Sequence, residues 1–394
     1  MRTLMVAPQP FFQPRGTPFS VLHRLKALAQ LGYKIDLLTY HIGQDIPIDG
    51  VNIYRIPKIP FVKKIAVGPS RAKIALDLAM IWKTASLLSK NSYDLIHSHE
   101  EAGFWAAYFA KKRGMLHLYD MHSSLPQQLN NFQFTKSGFL KKAFDKLEAF
   151  TIDSAAAVIT ICPELHDYVK AHFPDKYNCL IENVADNSLV FNKKIDVEAI
   201  KKRVKTNGEY AVLYAGTFEA YQGLDMLIES SVRVIEKAPN VRFVLVGGKP
   251  EQVARYEQRV EQLHLSKNFV FTGSVIPEEV PAYIESCDML VSPRLEGNNT
   301  PLKIYSYLRS GKPIVATDHI THTQVLNKDV SVLTDCTSQA FGDGILTALN
   351  DAQLSARITN NAKTLADEKY SYDVYLEKTK NLYGYLESQL GKSK

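Results

Sequence analysis

Two kinds of hydrophobic spacing alternate along this chain. Short apolar runs with strand character are followed by longer stretches in which apolar residues recur at helical spacing. In the first half the strand-like runs are TLMVAP, KIDLLTY, YDLIHSH, MLHLYDMH and AAAVITIC. Between them lie VLHRLKALAQLG, EAGFWAAYFAKKRG and LKKAFDKLEAFTIDS, which read as helices, the first with a glycine stop. The pattern then restarts. YAVLYAGT, VRFVLVGG, NFVFTGS, DMLVSP and PIVATD read as strands, and LDMLIESSVRVIEKA, QVARYEQRVEQLHL, EEVPAYIESC and LKIYSYLRSG as the helices between them. Apolar strands alternating with helices predict parallel sheets covered on both faces. The fold class expected is therefore α/β, as two doubly wound Rossmann-like domains with an interdomain cleft. The boundaries expected are 1–187, 188–372 and a C-terminal amphipathic helix over 373–394 that crosses back to the first domain. The polar, turn-prone segment ENVADNSLVFNKKID is where the domains should part.

Length and composition agree with two cores. The chain has 394 residues, 45% of them hydrophobic, more than one core usually organises. Its four cysteines, Cys162, Cys179, Cys287 and Cys336, are scattered with no CxxC pair. That argues against zinc and redox motifs and suits a reducing cytosol. The run MRTLMVAPQPFF is too short in apolar residues for a signal peptide. No apolar stretch reaches the length of a membrane span.

Charge changes the picture at one place. The net charge of +6 lies entirely in residues 1–190, which carry 22 Lys and Arg against 16 Asp and Glu. It concentrates between Arg55 and Lys90, where Lys58, Lys63, Lys64, Arg71, Lys73 and Lys83 also fall and Asp77 is the only acid. The same segment contains IPFVKKIAV and LDLAMIWKTASLL. Two readings stand: peripheral contact with an anionic membrane through residues 55–90, or a solvated amphipathic helix packed on its own core. Nucleic acid is not expected as a partner, because stacking aromatics and a known reader motif are lacking.

Ligands of doubly wound sheets bind at the carboxyl ends of the strands. After TLMVAP, Gly16 and Thr17 precede a helix, where backbone can approach a ligand closely; an ordinary turn would look the same. After MLHLYDM comes His122, placed to donate to a substrate hydroxyl or phosphate, although a lone histidine is often structural. Glu100 and Glu101 follow YDLIHSH and read as solvated surface. No GxGxxG fingerprint follows either YAVLYAGT or VRFVLVGG, so NAD is not expected. Around RSGKP, Ser306 and Pro313 occupy the places of the first Gly and the Ser/Thr of a phosphate-binding P-loop, which excludes that motif.

The richest stretch is SPRLEGNNTPLKIYSYLRSGKPIVATD. Thr300 is placed as an N-cap, Pro301 as the first helical residue, and Gly311 as the stop. Arg294 precedes this helix and Lys303 lies in its first turn. Cations are unfavourable at the positive end of a helix, a conflict that a bound anion would remove. The alternative is that Lys303 reaches out to solvent.

Taken with their order and spacing, YAGTFEAYQGLDMLI, VRFVLVGG, NFVFTGSV, CDMLVSP and SGKPIVATD resemble the second domain of the retaining glycosyltransferases of family 4, which have the GT-B fold. The resemblance extends over nearly the whole chain. It implies a nucleotide-sugar donor whose diphosphate lies on the second domain, and an acceptor mostly on the first. It places Gly16 and Thr17 at the glycine-rich loop near the donor phosphates and His122 near the donor sugar. Glu296, Gly297 and Pro301 match the front of the family's E-x7-E segment, and Gly311, Lys312 and Pro313 its rear.

The departures are informative. The family's Arg and Lys in the loop after the domain's first strand correspond to Thr217 and Gln222, beside Gly216. The second glutamate, which holds ribose, falls at Ile304 counted forwards or Ser306 counted backwards. The segment instead resembles a branch with an NTPLKxYxYL-like sequence. Arg294 and Lys303 would restore the two missing cations, the first as a bidentate fork and the second as a point charge. Asn298, Asn299, Thr300 and Ser306 would hydrogen-bond phosphate or ribose. The expected reaction is transfer of a hexose-type sugar, with retention, from a nucleoside-diphosphate sugar to a glycan or lipid-linked hydroxyl. His122, Arg294 and Lys303 form the catalytic set, and no metal or cofactor is expected. The expected setting is surface polysaccharide assembly in the cytoplasm at the inner membrane face. Two rivals remain: a nucleotide-sugar epimerase of the same fold, and a silent nucleotide-sugar-binding homologue.

Overall fold

The computed structural model describes residues 1–13, 16–60, 62, 65, 71–124, 138–185, 195–205 and 208–392. Contacts divide the chain into two compact units, Met1–Asn183 with Asp373–Lys394, and Val184–Tyr372. Residues 186–194, in the segment expected to hold the boundary, lie outside the described residues.

In the first unit seven parallel strands run in the order β3-β2-β1-β4-β5-β6-β7. They are β1 Arg2–Ala7, β2 Lys34–Thr39, β3 Val51–Arg55, β4 Leu95–His99, β5 Leu116–Met121, β6 Ala157–Thr160 and β7 Asn178–Leu180. The central strands are buried on both faces, which explains their unbroken apolar runs. The two edge strands, VNIYR and NCL, are half exposed and carry no such run, so hydrophobic pattern does not reveal them. The C-terminal helix Tyr372–Lys392 belongs to this unit from Asp373 onward. It is held by Tyr385 stacked on Tyr177 at 3.9 Å and by Lys378 paired with Glu182 at 2.7 Å.

The second unit has six parallel strands in the order β10-β9-β8-β11-β12-β13. These are β8 Tyr210–Ala215, β9 Val241–Val246, β10 Phe269–Gly273, β11 Met289–Ser292, β12 Ile314–Thr317 and β13 Val332–Thr334. One face packs on Tyr305, Tyr307 and Leu308 of the helix Leu302–Arg309, the other on Leu224 and Leu227 of the helix Leu224–Lys237. Strand order reverses direction between β1 and β4 in the first sheet and between β8 and β11 in the second. Each reversal opens a crevice at the carboxyl ends of the paired strands, the place where such sheets bind ligands.

Candidate functional site

The crevice of the second unit is bordered by two loops, one leaving β8 at Gly216 and one leaving β11 at Pro293. The loops are fastened to each other by main chain. Leu295 N–H donates to the Tyr221 carbonyl at 3.0 Å. Gly223 has φ +73, and a Cβ there would lie 2.0 Å from the Pro293 carbonyl oxygen. That position therefore needs glycine both for its left-handed backbone and for the close approach.

Lys303 reaches from the helix Leu302–Arg309 to the end of β8. Its Nζ is buried, lies 3.8 Å from the centroid of the Tyr214 ring, and has no hydrogen-bond partner. Lys303 therefore does not reach out to solvent. Burial, reinforced by the charge of Arg294, pulls its pKa well below the usual lysine value. Tyr214 supplies a favourable ring face for the cation, while its hydroxyl donates to the Thr217 carbonyl at 2.7 Å.

The helix N-terminus above Lys303 is uncapped. Pro301, not Thr300, occupies the cap position, so helix and cap are displaced by one residue from the sequence expectation. Pro301 has no side-chain acceptor, and its extended conformation carries Thr300 away from the capping position. Thr300 is buried with its Oγ1 unpartnered. The first N–H groups of a helix need acceptors. Ile304 N–H turns back to the Pro301 carbonyl at 3.0 Å, and at this helix start lie the unpartnered Thr300 hydroxyl and Lys303 amino group.

Arg294 completes the positive character. Its guanidinium lies over the Tyr221 ring at 5.2 Å, and its Nε donates to the Glu296 carbonyl at 2.8 Å. Burial lowers its pKa, the Tyr221 and Tyr214 rings oppose this, and no carboxylate contributes. Behind it, His322 bonds Ser292 Oγ through Nε2 at 2.8 Å, and Thr317 through Nδ1. Burial holds that imidazole neutral, its pKa pushed down to about 3.

Of the sequence-predicted residues, Gly216, Thr217, Gln222, Arg294, Thr300 and Lys303 thus gather at one crevice, while Glu296, Asn298 and Asn299 follow Arg294 along the loop leaving β11. Gln222 Nε2 reaches Thr217 Oγ1 at 3.5 Å, and Gly216 is close enough that a Cβ on it would lie 3.2 Å from Lys303 Nζ. Glu296 is exposed. Ser306 lies one turn further along the helix. Tyr214, Tyr221 and His322 were missed. Tyr214 alternates along β8 with residues of the opposite face, a period-two signal; nothing local marks His322.

The remaining candidates belong to the first unit. Gly16 is exposed and Thr17 Oγ1 donates to Glu100 at 3.1 Å. Glu100 and Glu101 are not solvated surface. Glu101 is half-buried against Lys73 at 2.8 Å, and Glu100 is tied to Thr17 because β4 ends in a turn with Glu100 at φ +49. His122 is buried, with Nε2 2.9 Å from His99 Nδ1 and 3.3 Å from Asp120 Oδ1. Asp120 anchors a wider network, meeting Arg24 Nε at 3.1 Å and His97 at 3.4 Å, while His97 Nδ1 meets Tyr383 Oη of the C-terminal helix at 2.9 Å. Burial alone would raise the Asp120 pKa, but Arg24, His122 and His99 hold it well below the usual carboxylate range. His97, His99 and Asp120 place their ligand atoms within 4.8 Å of one another, a spacing that a metal ion would fit. The buried Arg24 guanidinium already supplies the cation that this carboxylate requires. The alternation of HSH and of D-x-H puts these side chains on shared strand faces, a signal present in the sequence.

Comparison with known proteins adds to this geometry. The family model of glycosyl transferases group 1 matches residues 196–365, and that of Glycosyltransferase Family 4 matches residues 14–186. The chain belongs to the group 1 glycosyltransferases of family 4. It is an enzyme of glycosyl transfer with the GT-B fold, built of two Rossmann-like units. An uncharacterized glycosyltransferase of Methanocaldococcus jannaschii is 23% identical over 93% of this chain and 93% of its own. The O-antigen chain mannosyltransferase C of Escherichia coli is 24% identical over 75% of this chain and 76% of its own. The Anabaena protein HepE, solved in complex with UDP, superposes with a TM-score of 0.76 at 17% identity, covering 98% of this glycosyltransferase and all of that chain. No helix among the described residues is long and apolar enough to cross a membrane.

Proposed function

We propose that this glycosyltransferase moves a hexose from a nucleoside-diphosphate sugar to a hydroxyl of a glycan or lipid-linked acceptor, with retention at the anomeric carbon. The diphosphate lies in the crevice between β8 and β11. The observation that carries this reading is the buried, unpartnered Lys303 ammonium beside Arg294, under an uncapped helix N-terminus. Two basic side chains that form no ion pair among the described residues, Lys303 and Arg294, form a receptor for a multiply charged anion. As the sugar departs, negative charge grows on the distal phosphate, and groups already fixed there stabilise the transition state without reorganising. Lys303 acts as a point charge and Arg294 as a planar fork. Thr217, Gln222, Thr300, Asn298, Asn299 and Ser306 offer hydrogen bonds to phosphate or ribose. Neither metal nor organic cofactor enters the reaction, which takes place on the cytoplasmic side. HepE's complex with UDP and the mannosyl transfer named for the E. coli relative support the donor class.

A thermal-shift screen against UDP, GDP and ADP, with and without their sugars, tests the reading. The matching nucleotide raises the melting temperature by mass action, and a labelled donor then gives a product containing acceptor. A sugar isomerised without acceptor would make the protein an epimerase. Donor binding with neither transfer nor slow hydrolysis would make it a silent homologue.

A further inference from the structure

The helix Arg71–Lys90 is apolar on two opposite faces. Leu76, Met80, Leu87 and Leu88 are buried in the first unit's core. On the other side Ile74, Leu78 and Trp82 follow at four-residue spacing and are 58%, 63% and 60% exposed. Residues spaced by four lie one above another, so the stripe runs roughly 12 Å along the helix. Single exposed apolar residues are ordinary, but a surface helix normally presents polar residues on this face.

Cations gather at one end of the stripe. Arg113 Nη1 donates to the Leu88 carbonyl at 2.6 Å, which ties the end of the helix Ala102–Arg113 to the end of Arg71–Lys90. Lys111, Lys112, Arg113 and Lys90 are exposed there. Tyr108, 54% exposed, lies one turn back under Lys112. The only acid in either helix, Asp77, is turned onto the Tyr40 hydroxyl. This is not the basic patch that residues 55–90 suggest as a run. Arg55 pairs with Asp45 and Lys73 with Glu101, while Lys63, Lys64 and the Arg71 side chain lie outside the described residues.

We propose that this face docks the protein on an anionic lipid bilayer. Ile74, Leu78 and Trp82 enter the boundary between headgroups and acyl chains, and the lysines and arginine at the stripe's end meet lipid phosphates. A stripe one residue wide is too small for a stable protein interface, which buries about 1,200–2,000 Å². Shallow insertion of a few side chains, supplemented by charge, is enough for reversible membrane binding. Trp82 and Tyr108 suit the headgroup level, where an apolar ring with a polar edge is favoured. The proposal is independent of the donor reading, since the stripe shares no residue with the crevice of the second unit.

The test is co-sedimentation of the full chain with phosphatidylcholine vesicles, with or without phosphatidylglycerol, at low and high salt. Binding is expected only with the anionic lipid, and it weakens with salt. Of the two tryptophans, Trp105 is replaced by Phe so that Trp82 reports alone, and its emission shifts to the blue on anionic vesicles. The variant Ile74→Ser/Leu78→Ser/Trp82→Ser loses at least about tenfold in partitioning, and Lys111→Gln/Lys112→Gln loses the salt-sensitive part. Both variants keep wild-type melting temperature and nucleotide response, which separates this result from failure of the donor site. Absence of vesicle binding, equal binding to neutral vesicles, or undiminished binding by the triple variant would overturn the proposal. So would a concentration-dependent dimer that the triple variant abolishes, which would assign the face to a second copy.

Discussion

Replacing Lys303 by Met should change stability and affinity in opposite directions. The ammonium is buried without a hydrogen-bond partner, and leaving such a group unsatisfied costs about 1–3 kcal/mol. Its contact with the Tyr214 ring at 3.8 Å returns about 0.5–2 kcal/mol. Methionine keeps the apolar stem and a favourable sulfur–ring contact while removing the charge. The net gain in the nucleotide-free protein is about 1 kcal/mol, or roughly 2–4 °C in melting temperature for a unit the size of Val184–Tyr372. The gain depends on pH. Lys303 has a folded pKa below its unfolded value, so the unfolded chain binds the extra proton and wild-type stability rises with pH between the two. The advantage of Met is therefore full below the folded pKa and disappears as pH approaches the unfolded value of about 10.4. Affinity moves the other way. A hydrogen bond to a charged group contributes about 1.5–3 kcal/mol, so the variant should bind the diphosphate roughly 10- to 150-fold more weakly by calorimetry. A variant that is less stable at neutral pH and binds nucleotide as well as wild type would refute the argument and make Lys303 a structural residue.

Other perturbations have equally definite outcomes. Diphosphate binding should raise the depressed Lys303 pKa, so affinity by calorimetry should fall as pH rises through the range between the free and bound values; affinity that rises with pH there would contradict this. Arg294→Lys keeps the charge but loses the planar fork, and should weaken nucleotide binding about five- to tenfold by fluorescence titration, less than Arg294→Ala. Asp120→Ala strands Arg24 in the first unit's core and should cost about 3–5 kcal/mol in denaturant unfolding. Asp77 has its pKa pushed up to about 7 by burial and by Glu101. Wild-type stability should therefore fall as pH rises from the usual carboxylate range through 7, and Asp77→Asn should flatten that slope in melting curves.

Much of this was legible in the sequence, because a parallel sheet buried on both faces leaves its hydrophobic runs uninterrupted. β1, β4, β8 and β9 are examples, and the glycine at 311 ends its helix as its residue type implies. The strands β3, β7 and β13 were hidden because edge pairing needs backbone and not an apolar run. The pairing of Arg294 with Lys303 was inferred from a local conflict of charge with the helix end, and both do border the crevice. That the lysine amine would be covered by Tyr214 was invisible, since the ring comes from a strand nearly ninety positions earlier in the chain. The same holds for His122. Its position at the end of β5 follows from local pattern, but the Arg24–Asp120 pair that surrounds it is assembled from distant segments.

The central claim is that Arg294 and Lys303 receive a diphosphate, and one calorimetric comparison tests it directly. Wild type and Arg294→Ala/Lys303→Met are titrated with the matching nucleoside diphosphate and with the bare nucleoside. In wild type the two phosphates should strengthen binding by orders of magnitude. In the double variant that difference should nearly vanish, while affinity for the nucleoside stays the same. If the phosphates add as much affinity to the double variant as to wild type, the diphosphate is held elsewhere and the account is wrong.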